Sequence, residues 1–283
     1  MAQASRWQGW VLSAPALLVT SILFLLPMVL VIMTSLWRRE AGQTVQEPSL
    51  ANFQRIATDD TIHTALQNSL EVVFLTVLVS LAVAYPFAYI IAFVVPRKWQ
   101  GIILLLTVLP FWTSYVVRSY SWLLVLARNG VVNQTLVSTG LISEPIQLAN
   151  TRTATIIAFV HFFVMVCSLT IYASLRQIPE NLPKAARDLG ASAWSTFWRV
   201  IFPLSLPGVI VGAFLTFVLA IGDFITPQIV GGGSELLLPQ LIMLQVSRLG
   251  DIPLAAALAL ILLLIVAIVY AMSSRHLTLG VKR

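Results

Sequence analysis

The chain has 283 residues, of which 58% are hydrophobic and only 10% are charged, against roughly 25% charged in soluble domains. A single core in a chain of this length cannot bury so much apolar surface, so the composition excludes a soluble globular protein. The net charge of +6 fits basic segments at a membrane surface, and it needs no nucleic acid to explain it.

Six windows contain no Asp, Glu, Lys or Arg, and each is long enough to cross a bilayer as a helix, which takes about 20 apolar residues. The windows are 7–37, 72–96, 99–117, 153–175, 200–222 and 252–274. Since a helix satisfies its own backbone hydrogen bonds in lipid, we predict an all-α integral membrane protein with six transmembrane helices. The first apolar window is far longer than a signal peptide's apolar region, so it is retained as a span.

An even number of spans puts both termini on one side of the membrane. Placing them inside gives the inner segments ten of the 17 basic residues and two acids, Glu180 and Asp188. Lys and Arg near span ends favour the cytoplasmic side, so both termini are predicted to be cytoplasmic.

The first outer segment, about 38–68, contains a candidate short helix over 50–56. It is either a solvated connector or a contact for a soluble partner. Asn68, Ser69 and Glu71 then provide acceptors and an acid typical of a helix start, so the second span is predicted to begin there.

The third span ends in an aromatic and polar stretch, 109–122, and the turn signal Asn129-Gly130 predicts an outer loop over 129–150. The fourth span contains His161, which either hydrogen-bonds between helices or relays protons. Cys167 stands alone, so a disulfide framework and a thiol-ligated metal site are both excluded.

A polar segment, 176–207, separates the fourth and fifth spans. Pro183 suits the first turn of a helix and Gly190 suits a left-handed C-terminal cap. Ser192 can cap a second short helix, which Pro203 limits. The pattern predicts two short helices with a tight bend, lying at the membrane surface, as a docking element would.

The fifth span ends in a stretch that disfavours regular helix, because Gly222, Pro227 and a glycine run over 231–233 follow one another. Irregular backbone near a membrane is tolerated where protein or a water-filled cavity covers it, and Asp223 sits at this break. Residues 236–246 are too short to span and predict an outer interfacial helix. Pro253 begins the sixth span.

Catalytic and cofactor motifs are absent from the sequence. There is no phosphate-binding Gly-x-x-x-x-Gly-Lys, no metal-ligand spacing among three histidines and one cysteine, and no serine-triad signature. We therefore expect no enzyme, no cofactor and no metal in this chain.

The polar segment resembles the cytoplasmic EAA loop of MetI-like (type I) ABC-importer permeases. The spacing is matched by Lys184-Ala185-Ala186, Gly190, Val200 and Phe202-Pro203. Lys184 stands in place of the usual acid, Val200 in place of Ile and Phe202 in place of Leu. In that family the loop docks on a cytoplasmic ATPase and transmits its movement. The resemblance implies ATPase-coupling roles for Pro183, Lys184, Ala185, Ala186, Asp188, Leu189, Gly190 and Pro203.

The Asn68-Ser69 pair resembles the start of the permease core in ABC importers. Two other stretches, 109–133 and 220–233, resemble the first permease subunit of spermidine/putrescine-type importers. The resemblance implies a bacterial inner-membrane location, a second homologous permease, two ATPase subunits that bind ATP and Mg, and a soluble substrate-binding protein outside. The implied cargo is a polyamine or similar small amine; related permeases carry opines, aminophosphonates or ferric ions.

Ionisable groups at membrane depth are costly and so are candidates for a transport pathway. Asp223 and Glu71 supply carboxylates, while Trp112, Tyr115 and Tyr120 supply aromatic faces for an organic cation. These aromatic residues also fit an ordinary interfacial belt. Arg118 argues against a simple cation funnel.

The predicted organisation is an N-terminal helix with an outer segment over 1–65, a five-span permease core over 66–275, a coupling loop over 176–203 and a tail over 276–283. An autonomous secondary transporter is a weaker alternative, because only Glu71 and Asp223 come near the spans and no inverted repeat is visible. A membrane-embedded enzyme lacks a catalytic cluster.

Overall fold

The computed structural model describes residues 2–233 and 235–277, so that within the predicted tail residues 278–283 lie outside the described part. The described residues form helices and one small hairpin, β1 (Arg38–Glu40) with β2 (Gln43–Val45). The helices are α1 (Ala2–Ser35), α2 (Ala51–Thr58), α3 (Asp60–Phe93), α4 (Arg97–Val108), α5 (Tyr115–Leu126), α6 (Val131–Ser138), α7 (Arg152–Arg176), α8 (Asn181–Asp188), α9 (Ala193–Thr196), α10 (Phe202–Ile221), α11 (Ile225–Val230), α12 (Leu238–Leu244) and α13 (Ile252–Leu277). This confirms the all-α prediction.

Five helical segments in the described part of the chain are long and apolar enough to span a membrane. They are Ser13–Ser35, Asp60–Phe93, Arg152–Leu175, Ala193–Ile221 and Ile252–Ser274. They correspond to the first, second, fourth, fifth and sixth predicted spans.

The predicted third span is a bent pair of helices. α4 leads into a 3-10 turn, Leu109–Trp112, and α5 then departs at 92°. The backbone is extended at Thr113 and Ser114, which cap these two segments. Pro110 has no N–H and restricts its neighbours, so a break here is physically reasonable. Residues 2–233 and 235–277 therefore hold five helices that could span a membrane, or six spans if this bent pair counts as one.

The second span begins earlier than predicted. α3 starts at Asp60, where the Asp59 carboxylate accepts a hydrogen bond of 2.9 Å from the Thr61 N–H. Burial opposes ionisation of Asp59, but its hydrogen bonds from Thr61 and Ile62 together lower its pKa. The prediction that Asn68, Ser69 and Glu71 form the helix start was wrong, because Asp59 performs the capping nine residues or more upstream of them.

Residue contacts divide the chain into two units. The first comprises Met1–His63 with Leu241–Leu263. Within it, the buried Asn52 donates hydrogen bonds of 2.8 and 2.7 Å to the carbonyls of Ser35 and Trp37, so α2 is tied to the end of α1. Arg55 pairs with the buried Asp251 at 3.2 Å, and Asp251 also caps α13 through the Leu254 N–H.

The second unit comprises Thr64–Gln240 with Leu264–Arg283, and its core is the packing of α7 on α10. Gly208 and Gly212 allow this close approach. A Cβ on Gly212 would lie 2.6 Å from Thr170 Oγ1 and 3.2 Å from Cys167 Cα. Cys167 is fully buried there, with its Sγ 3.2 Å from Thr216 Oγ1. It is a small packed residue, as the sequence indicates.

Two connecting segments are more ordered than the sequence suggests. The predicted outer loop over 129–150 contains α6, and the buried Asn133 donates to the carbonyls of Ala127 and Ile146. The predicted interfacial helix over 236–246 is α12, continued by a π-helical turn. Leu237, Leu238 and Leu241 are buried, so this segment is part of the protein interior rather than an exposed surface helix.

Candidate coupling loop and transport pathway

The bend and both caps between α7 and α10 form as the sequence predicts. Pro203 does not end the second helix, however, because α9, the π-helical turn and α10 form one continuous helix, Ala193–Ile221. α8 ends in a left-handed Gly190 with φ of +86°. The Gly190 N–H donates to the Arg187 carbonyl at 2.9 Å and the Ala191 N–H to the Ala186 carbonyl at 3.0 Å. These two bonds form a Schellman cap, in which glycine avoids the steric cost of positive φ. The Ser192 hydroxyl then accepts from the Ser195 N–H at 3.1 Å and caps α9.

Among the described residues, the side chains at the tip of the loop are largely exposed. Leu189 is 90% exposed and Trp194 is 72% exposed. Lys184, Ala185, Asp188 and Pro203 are also exposed, whereas Pro183 and Ala186 are half-buried. Leu189 is thus an apolar side chain that the described part of the chain leaves almost fully uncovered.

Lys184 occupies the motif position that is usually acidic, and another acid, Glu180, lies one helical turn before it. Glu180 is 3.8 Å from Lys184 and 3.5 Å from Arg97, which belongs to the start of α4. All three side chains are largely exposed, so each pair contributes little to stability. Glu180 nevertheless supplies a carboxylate close to the position where the family motif has one.

Aromatic rings connect the loop to the membrane-spanning helices. Phe197, in the π-helical turn after α9, lies 5.6 Å from the Tyr85 ring and 5.9 Å from the Tyr89 ring of α3. Trp198 and Phe202 continue this cluster at 5.0 Å. Phe197 therefore packs the turn that follows α9 against α3. The sequence contained no signal that α3 supplies ring partners for Phe197.

The break after α10 brings together two of the predicted pathway residues. Asp223 caps α11 by accepting from the Ile225 N–H at 2.8 Å and the Thr226 N–H at 3.3 Å. Its other carboxylate oxygen accepts a hydrogen bond from the Tyr115 hydroxyl, which in turn accepts one from the Thr226 hydroxyl at 2.7 Å. Thr226 was not anticipated from the sequence.

The remaining predicted pathway residues lie apart from this pair. Trp112 is 86% exposed and Tyr120 is 54% exposed, so neither is enclosed with Asp223 and Tyr115. Glu71 pairs with Arg152 at the start of α7. Arg152 also contacts Glu235 and donates to the Asn68 side chain at 2.7 Å. This network joins three segments that are far apart in the chain.

A cavity of about 250 Å³ lies between α3, α4, the start of α5 and α7. Its walls are mainly apolar and aromatic, and Thr107, Arg118 and His161 are its polar lining. The Arg118 guanidinium lies 4.5 Å from the centre of the Phe162 ring and 5.3 Å from that of Tyr115. No group of three metal-ligating side chains occurs among the described residues.

The chain is similar to known transport proteins. A family described as the inner membrane component of binding-protein-dependent transport systems matches residues 84–277. The spermidine/putrescine transport system permease protein PotB of Escherichia coli strain K12 is 33% identical over 256 residues, covering 89% of this chain and 92% of that protein. The inner membrane ABC transporter permease protein YdcU of the same strain is 31% identical over 242 residues, covering 81% of this chain and 76% of that protein.

Solved structures share the fold. A bacterial ABC transporter involved in the import of the acidic polysaccharide alginate superposes with a TM-score of 0.73 at 18% identity, covering 96% of both chains. An amino acid ABC transporter superposes with a TM-score of 0.52 at 16% identity, covering 80% of this chain and 97% of that one. These likenesses confirm the MetI-like fold expected from the EAA resemblance. Because the family model matches more than half of this chain, residues 84–277, the chain belongs to the inner membrane components of binding-protein-dependent transport systems.

Proposed function

We propose that this chain is one of two homologous permease subunits of an ABC importer for a polyamine such as spermidine or putrescine. The observation that carries the importer assignment is the exposed helix–bend–helix loop with Leu189 at its tip, joined by aromatic rings to α3. The PotB relatives, which match nearly the whole chain, support the polyamine.

The coupling step follows from the contacts of the loop. Two cytoplasmic ATPase subunits bind ATP and Mg, and one of them holds α8 through the exposed residues Lys184, Ala185, Asp188 and Leu189. When the ATPases close, α8 and α9 move as one body because the Gly190 cap fixes their angle. Phe197 passes that movement to α3, and the pathway opens toward a soluble binding protein outside. The chain performs no covalent chemistry, and both of its termini are cytoplasmic.

The substrate step uses the break after α10. A carboxylate has about four acceptor positions, and the described hydrogen bonds to Asp223 occupy three. One position remains for a substrate ammonium, and the Tyr115 ring adjoins it with an aromatic face. Trp112, at the bend before α5, and Tyr120, within α5, act earlier in the pathway, where both are exposed. Glu71 acts indirectly, since its ion pair with Arg152 holds α3 and α7 together near the outer end of the pathway.

The function is tested by purifying the complex from native membranes and reconstituting it in vesicles with its binding protein. We expect co-purification of an ATPase and a second permease, ATPase activity stimulated by the loaded binding protein, and uptake of labelled putrescine or spermidine. Unlabelled polyamine should compete, whereas an opine, an aminophosphonate or ferric ion should not. Uptake that is insensitive to both polyamines would refute the substrate, and accumulation without any ATPase would refute the importer.

Asp223→Asn is the sharpest variant for the pathway, because it keeps the shape and much of the α11 cap but removes the charge. We expect the KM for polyamine uptake to rise about tenfold or more while complex assembly stays normal. Asp188→Asn is a matched control in the substrate pathway test, since it removes an acid on the coupling loop. It should affect ATPase coupling without changing substrate preference.

A further inference from the structure

We infer that Arg118 is a specificity-determining residue, a fixed positive charge that keeps small inorganic cations from leaking through the transport pathway. The inference rests on the proposed function in one respect, that the cavity beside α7 belongs to a pathway across the membrane. It concerns the ions that the pathway must reject rather than the solute that it carries.

The first step is the depth of Arg118, which follows from its place beside α7 when the start of α7 is set at one face of the hydrocarbon core. Its guanidinium lies 4.5 Å from the Phe162 ring centre. Phe162 is ten residues beyond Arg152, the first residue of α7, which at 1.5 Å per residue is about 15 Å along the helix. The hydrocarbon core is about 30 Å thick, so the charge is close to its middle. A charge at that depth is costly and calls for a function.

The second observation is that this charge is both held and uncompensated. The guanidinium contacts the Phe162 and Tyr115 rings and donates to the Pro110 carbonyl at 3.3 Å. These contacts position it without neutralising it. Among residues 2–233 and 235–277 it makes no ion pair with a carboxylate, in contrast to Arg152, which has two such partners. Arginine stays protonated at any physiological pH, so the positive charge is permanent.

The third observation is the cavity of about 250 Å³ that Arg118 lines together with His161 and Met165. An inorganic cation entering it would meet the guanidinium within several ångströms, in surroundings less polar than water. At an effective dielectric of about 20, that repulsion lowers the occupancy of a monovalent cation by roughly tenfold or more. Arginine in other membrane pores excludes cations by the same electrostatic effect.

An organic polyamine can overcome a barrier that stops K⁺ or Na⁺. Its methylene segments gain contact with the apolar cavity wall, and its separate ammonium groups reach carboxylates and aromatic faces elsewhere along the path. A small ion has neither advantage and must also lose hydration. The guanidinium repels both kinds of cation, but only the polyamine gains contacts elsewhere along the path that offset this repulsion.

The test measures passive K⁺ flux into vesicles that contain the complete importer, without ATP and again with a non-hydrolysable ATP analogue. Arg118→Met should raise the K⁺ leak about tenfold, and Arg118→Lys should keep it low. Arg128→Met is the matched control, because it removes the same charge from an exposed arginine just after α5. It should leave the leak unchanged.

Charge rescue separates the electrostatic role from a packing role. In a Cys167→Ala background, Arg118→Cys should leak as Arg118→Met does. A thiol reagent carrying a quaternary ammonium should then restore the low leak, whereas a neutral methylating reagent should not. If the two reagents act alike, or if none of the neutral Arg118 variants leaks more than the parent, the inference is overturned. Loss of substrate uptake without any change in leak would also overturn it and would identify Arg118 as a ligand for an acidic group on the cargo.

The K⁺ measurement contains no polyamine, so its outcome does not depend on the substrate. An importer that proves to carry another solute would show this in the uptake assay, and the leak test would still decide the role of Arg118.

Discussion

Gly190→Val tests the bend on which coupling depends. Gly190 has φ of +86°, and a Cβ built there meets nothing within 4 Å. The substitution therefore adds backbone strain and no clash. Left-handed backbone costs a residue with a Cβ about 1–2 kcal/mol, which lowers the population of the bent loop, relative to its alternatives, by about 5- to 30-fold.

We expect substrate-stimulated ATPase and transport to fall by a similar factor, with normal membrane insertion. Both are measured on the reconstituted complex, per mole of assembled permease. Gly190→Asn adds bulk but tolerates positive φ, so it should stay within about twofold of the parent. Gly140→Val carries the same strain, at φ of +72° with no neighbour within 4 Å, but lies after α6. It should couple normally, and full coupling by Gly190→Val would refute the reasoning.

Three further predictions concern packing, docking and charge. Gly212→Ala should lower the Tm of the purified protein, because overpacking costs about 1–3 kcal/mol, whereas Gly101→Ala, with nothing within 4 Å, should not. Leu189→Ala should weaken ATPase association while leaving the Tm of the permease unchanged. Leu141→Ala serves as its control, because Leu141 is 74% exposed on another segment. Equal ATPase association by the two variants would argue against docking at Leu189. Arg152→Gln leaves two carboxylates facing each other, so we expect a lower Tm whose deficit shrinks at high salt. A salt-independent deficit would contradict that account.

Local rules were enough to predict much of this protein. Charge-free windows of about 20 residues identify spans because lipid offers no partner for a free backbone group or a charge. The bend at Gly190 and the cap at Ser192 were also predictable, since both depend on the conformational preferences of one residue and on hydrogen bonds to neighbours three to five positions away.

Only the tertiary structure decided which distant residues meet. Glu71 and Asp223 look alike in the sequence, as single acids at span ends, yet Glu71 is committed to Arg152 whereas Asp223 caps α11 and binds Tyr115. The 92° bend after α4 and the position of Arg118 over Phe162 are equally invisible to local patterns. The physical reason is that an apolar segment of sequence indicates a helix in lipid or in the protein interior, but it does not indicate which other helix packs against it. Pairing depends on how helices pack, and that packing is shared among residues 40 or more positions apart.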